Sequence, residues 1–255
     1  MKEYVDGLDR SPDRERQRKL LDRIIARPRE HARLINTFAR MEYVGVRKIL
    51  KSRRSEVLDL DGLQHILDET VHALRLKKAA LAVAGLVGGV GVETFSAADT
   101  LAGDDGEGYL QDVDRAAEAV LADLPEAKRV EINYLLSSAA IEVRAQAFYP
   151  LYEECLRARE VPMSVAMIMK DEDRHLTEMG ERLAAALPDW RFRLGRVLVA
   201  EQRIFEEFLK AVAGALDTGV EATHVQLVHA QPVHAQPVAR PPAVTKEFSG
   251  IPEGQ

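Results

Sequence analysis

Four glutamates sit on the apolar faces of four long helical segments, and this constrains the fold more than any other feature of the chain. Glu42 lies among Leu34, Ile35, Phe38, Gly45, Val46 and Ile49, and Glu142 among Leu135, Ser138, Ala139, Ala145 and Tyr149. Glu69 keeps company with Ile66, Ala73 and Leu76, and Glu172 with Val165, Ile168, Met169, Leu176, Met179 and Leu183. Each set repeats at the three- and four-residue spacing that builds one helix face. Carboxylates on core-facing stripes carry a heavy desolvation cost unless they are protonated or meet a cation. The helices must therefore bring these acids together around something that neutralises them.

The acids also follow a pattern. Leu67–His72 reads LDETVH and Lys170–His175 reads KDEDRH, so Asp-Glu-x-x-His occurs twice. Glu69 and His72 share a helix face one turn apart, as do Glu172 and His175, and each pair can grip one metal ion. Glu42 precedes Glu69 by 27 positions and Glu142 precedes Glu172 by 30, which makes the unit an internal duplication of a metal half-site. Two divalent cations offset four carboxylates, and neutral imidazoles add no charge. Hard carboxylates with imidazole suit iron or manganese better than a thiolate-seeking ion.

The rest of the chain agrees with an all-α fold. Periodicity predicts a short helix opening at Ser11-Pro12 and long helices from Pro28 to about Arg53 and Leu60 to about Ala84. A glycine-rich crossover, Gly85 to Gly108, and a short helix around Gln111 to Ala122 follow. Further helices are expected from Glu126, with Pro150 kinking or ending that one, from Pro162 to about Ala186, and from Asp189 to about Leu216. The VHAQPVHAQP repeat and its prolines predict a disordered tail from about residue 223. The expected organisation is thus a helical extension over 1–28, a di-metal bundle over 29–222 and a tail over 223–255.

Composition narrows the function classes. A net charge of -6, with no basic cluster interleaved with aromatics, argues against nucleic acid. The longest uncharged run, Ala79–Val92, has 14 residues, short of the roughly 20 that span a bilayer. The N-terminal stretch lacks the apolar core of a signal peptide. A single cysteine, Cys155, permits no intrachain disulfide and fits a cytoplasmic protein.

The twin Glu-x-x-His units with their partner glutamates resemble the ferritin-like di-iron carboxylate superfamily. The resemblance covers roughly residues 29 to 186 and implies a four-helix bundle with a long crossover between its second and third helices. It implies two iron ions, with manganese as the other candidate. Glu69 and Glu172 would bridge them, Glu42 and Glu142 would cap them, and His72 and His175 would each bind one. Asp68 and Asp171 would each orient the histidine of the opposite half. His65, one turn before Glu69, resembles the added ligand of the arylamine N-oxygenase branch, or is a rim histidine. Tyr134, Tyr149 and Gln146 are candidates to line the site, with packing the default for the tyrosines. Arg144 and Arg174 are read as solvent-facing or as partners of the ligands, and Trp190 as a packing anchor.

Departures from individual branches matter. Leu76 stands where the ribonucleotide reductase small subunit has its radical tyrosine, and Gln146 where the multicomponent hydroxylases have a threonine. No cysteine-rich rubrerythrin module is present. The resemblance then implies an oxygenase or oxidase that uses O2, a small organic substrate and an external electron donor. A ferroxidase or peroxide-scavenging centre is the alternative. A homo-oligomer or a tail-mediated partner fits either. A closed apolar cavity beside the ligands would favour the first reading, and a narrow acid-lined channel the second.

Overall fold

The structure is a computed structural model and describes residues 1–52, 58–89 and 91–227. Among these residues the chain is all-helical: α1 (Lys2–Asp9), α2 (Asp13–Ile25), α3 (Pro28–Ser52), α4 (Leu60–Gly85), α5 (Gly103–Val120), α6 (Glu126–Ala158), α7 (Ala166–Ala186) and α8 (Trp190–Leu227). None of these helices is long and apolar enough to cross a membrane.

Helices α3 and α4 pack as one pair and α6 and α7 as another, with α3 also meeting α6 and α4 meeting α7. Helix α5 lies against α3, α6 and α8, while α1 and α2 pack on α6. Pro28 starts α3, where its missing N–H costs nothing. Asp59 caps α4 by accepting from the Gly62 N–H at 2.9 Å. The crossover is tied to α3 by buried polar groups. Asn36 Nδ2 donates to the carbonyls of Thr94 and Asp99, both at 2.8 Å, and Thr37 Oγ1 donates to the Leu101 carbonyl at 2.7 Å.

Several boundaries differ from the sequence expectation. Helix α1 precedes the first expected helix, and Tyr4, Val5 and Leu8 pack from it onto the core. Helix α5 begins at Gly103 instead of near Gln111. Its glycines are contact points: a Cβ on Gly103 would collide with Thr100, and one on Gly106 would lie 3.1 Å from Met41 Sδ. Pro150 does not end α6, which continues to Ala158. An interior proline costs about 3 kcal/mol, but the next turns bury Leu151, Tyr152, Cys155 and Leu156, and burial of each large side chain returns about 1.5 to 3 kcal/mol.

Helix α7 starts at Ala166, four residues after Pro162. The Glu153 carboxylate organises the intervening loop by accepting from the Val165 N–H at 2.8 Å and from Ser164 Oγ. Helix α8 extends past Leu216 to Leu227, so residues 223–227 of the expected tail are helical. The remainder of that tail, with most of the VHAQP repeat, lies outside the described residues.

Candidate metal centre

The duplicated residues converge. Helix α3 supplies Glu42, α4 supplies Glu69 and His72, α6 supplies Glu142, and α7 supplies Glu172 and His175. They form two overlapping groups, Glu42–Glu69–His72–Glu172 and His65–Glu69–Glu142–His175, each with ligand atoms within 4.8 Å of one another. Glu69 belongs to both. All are buried except Glu42, which is half-buried where the sequence predicted a fully buried acid. It sits at the rim, with its Oε1 accepting from the Tyr149 hydroxyl at 2.9 Å.

The crossed support of the histidines is present. His72 Nε2 lies 3.1 Å from Asp171 Oδ2, and His175 Nε2 lies 3.2 Å from Asp68 Oδ2. Asp68 is itself held by Gln64 Nε2 at 2.8 Å and by Arg174. Each imidazole therefore turns its Nδ1 into the cluster. His175 Nδ1 is 3.0 Å from Glu172 Oε2 and 3.5 Å from Glu142 Oε1.

His65 joins the group as the sequence allowed. Its Nε2 is 3.1 Å from Glu69 Oε1 and 3.7 Å from Glu142 Oε1, and its Nδ1 meets the Tyr134 hydroxyl at 3.1 Å. Tyr134 and Tyr149 do more than pack, since each hydrogen-bonds a residue of the cluster. Gln146 does not line it. Its Nε2 donates to the Met169 carbonyl at 2.6 Å, and it borders a separate cavity beneath α1, because its position on α6 turns it toward α7.

Without cations, the cluster holds protons. Burial and the charges of Glu69 and Glu172 push the Glu42 carboxyl well above the usual carboxylate range. Burial, then Glu142, raises Glu172 as well. Burial would raise Glu142 too, but the Glu172 carboxyl and the imidazoles of His175 and His65 pull it down to about 2. Burial opposes charge on His175 and His65, yet neighbouring carboxylates win and push them up to about 12 and about 9.

The donor set suits a hard or borderline divalent ion, which would take over the neutralising role of these protons. One atom is left over in the proton-only arrangement. His72 Nδ1 is buried with no hydrogen-bond partner, 3.2 Å from Glu172 Oε1 but without bonding geometry. A buried lone pair without a donor is costly, and a cation among Glu42, Glu69, His72 and Glu172 would satisfy it.

A cavity of about 120 Å³ opens beside the cluster. Glu42, Glu69, Glu142 and Glu172 line one side of it, and Phe38, Tyr109, Phe148, Tyr149, Phe205 and Phe208 wall much of the rest. Behind the wall that α5 and α8 supply, a buried ion pair that the sequence reading missed joins α6 to α8. Arg144 Nε and Nη2 donate to Glu201 at 2.9 and 2.7 Å, and the Tyr109 hydroxyl donates to Glu201 Oε1 at 2.8 Å. Arg144 is thus not solvent-facing, and its guanidinium also sits 4.4 Å above the Phe205 ring. The signal was available: Glu201 falls on the apolar stripe of Leu194, Val197, Leu198, Phe205 and Phe208, the rule that picked out the other four glutamates.

No protein-family model, curated protein or solved structure matches this chain.

Proposed function

We propose that this chain is a dinuclear iron or manganese carboxylate protein of the ferritin-like kind, with α3, α4, α6 and α7 as its four-helix bundle, and that it uses O2 to oxidise a small organic molecule. The observation that carries the organic-substrate reading is the cavity, whose wall is mostly apolar and aromatic and not an acid-lined path. Glu42, Glu69, His72, Glu142, Glu172 and His175 would hold the ions, with His65 as a further donor to the group that contains Glu142. Bound there, the metal pair supplies the redox chemistry for O2, drawing electrons from an external donor.

The chain's own groups prepare the site. Asp68 and Asp171 fix the tautomer and direction of His175 and His72, so that Nδ1 faces the ions. Tyr149 steadies the half-exposed Glu42, and Tyr134 does the same for His65. The aromatic wall keeps bulk water from the reacting region.

The test is anaerobic loading with Fe(II) followed by exposure to O2. The expected result is about two metal ions per chain and slow oxidation that stops once the bound iron is consumed. Rapid, repeated Fe(II) oxidation with accumulating mineral would replace this reading with a ferroxidase.

A further inference from the structure

Resting on that reading of the site, we propose that the cavity takes an uncharged organic molecule about the size of one aromatic ring. Size sets the first limit. The volume of about 120 Å³ is close to that of an engineered apolar cavity of about 150 Å³ that binds benzene. It falls well below the roughly 300 Å³ at which pockets for drug-sized ligands begin.

Charge sets the second limit. Lys48 and Arg144 border the cavity, and each already has its carboxylate. Lys48 Nζ lies 2.9 Å from Asp114 Oδ1 and 2.6 Å from Ser137 Oγ, and Arg144 is paired in two-pronged fashion with Glu201. In the metal-loaded chain the four glutamates would offset the charge of the two ions, so a charged ligand would enter an apolar space whose cations are already neutralised, at high desolvation cost. The partly exposed lining residues Met41, Val44, Ile141 and Ala145 mark the mouth between α3 and α6.

The test is calorimetric titration of the metal-loaded full chain with toluene, benzoate and naphthalene, with metal content measured on the same sample. Saturable one-to-one binding of toluene is expected, with benzoate and naphthalene about tenfold or more weaker. Ala145→Leu, which fills the mouth, should weaken toluene by a similar factor while metal content stays the same. Toluene that fails to saturate, or benzoate or naphthalene that binds as tightly, overturns the inference. A sample that binds toluene and no metal refutes the proposed function instead.

A separate observation concerns the outer face of α4. Leu60, Leu67, Leu74 and Leu81 recur at intervals of seven, with exposures of 78%, 55%, 52% and 44%, and Leu63 stands exposed beside them. The buried face of the same helix is occupied by Glu69, His72, Leu76 and Val83, so this stripe lies outside the core that the described residues form. A seven-residue leucine repeat fills one of the two apolar heptad positions by which helices mesh, and Leu63 adds to the other. The stripe presents on the order of several hundred Å² of apolar side chain, so two copies approach the ~1,000 Å² of a specific interface. Charge fixes the direction, because Asp61 lies at one end of the stripe and Arg75 and Lys78 toward the other. An antiparallel pair sets acid against base, whereas a parallel pair sets like against like.

The geometry points to a homodimer in which α4 packs antiparallel on α4 of a second copy. Sedimentation velocity of the full chain at micromolar concentration should show a dimer. Leu67→Glu with Leu74→Glu should give a monomer of unchanged helicity and metal content. Lys78→Glu should weaken the dimer, and adding Asp61→Lys should restore it. A monomeric wild-type chain, a dimer that survives the double glutamate change, or a double reversal that restores nothing would overturn the arrangement.

Discussion

Glu42 and Glu142 hold matching places in the two halves of the cluster but meet opposite surroundings. Glu42 is half-buried, has one phenol as its donor, and is held protonated by burial and its acidic neighbours. Glu142 is buried against two imidazoles and stays ionised, with its carboxyl at about 2. The support behind the histidines differs in the same sense. Asp68, behind His175, is gripped by Gln64 and Arg174, whereas Asp171, behind His72, has among the described residues only a distant Arg75 at 4.0 Å besides its histidine. The motif repeats in the two halves, but unequal neighbours hold the residues of one half with more partners than those of the other.

The largest effect should come from the residue the two halves share. Glu69→Ala removes a carboxylate from both groups, and metal analysis of the purified variant should find neither ion. One ion retained would take Glu69 out of its shared place and leave two independent halves. Next come the supporting acids. Asp68→Asn and Asp171→Asn should each weaken metal binding by roughly 10- to 100-fold, with Asp68→Asn nearer the upper figure. Equal losses in a competition titration against a chelator would erase the proposed asymmetry.

A different quantity, acid stability, must be separated from the cluster before its two halves are titrated. His31 is buried on α3, bonded through Nε2 to the Tyr152 hydroxyl at 2.6 Å, and burial pushes it down to about 4. Its unfolded value is about 6.5, so between these limits the unfolded chain binds the extra proton. Stability present above about pH 6.5 should therefore fall as the pH drops toward about 4, by roughly 3 kcal/mol in all. His31→Gln should flatten that part of the pH profile in urea melts of the metal-free protein. An unchanged slope would assign the acid loss to the cluster itself.

The site was more legible than the fold around it. The convergence of Glu42, Glu69, His72, Glu142, Glu172 and His175 could be read because helix phase is local: residues three and four apart share a face whatever the helix later packs against. Pro150 left open whether α6 continues, because the local cost of a proline is visible in sequence, while the buried Leu151, Tyr152 and Leu156 that offset it are not. Gln146 misled because proximity along α6 does not say whether a side chain turns toward α7 or toward the cluster. The early start of α5 was hidden because Gly103 and Gly106 read as loop residues until Thr100 and Met41 are seen against them.

By itself, then, the sequence determined that the described residues form a helical fold, and which faces of α3, α4, α6 and α7 carry the four glutamates and the two Glu-x-x-His units into the interior. Only the tertiary structure decided that His65 joins the Glu142 group, that Glu42 stays at the rim, and that α5 and α8 wall an apolar cavity over the cluster, with Arg144 and Glu201 joining α6 to α8 behind it. The division follows from the range of the forces involved. Helical phase and the cost of burying charge are set within a few residues, whereas the depth of a ligand and the walls of a cavity depend on contacts between segments far apart in the chain.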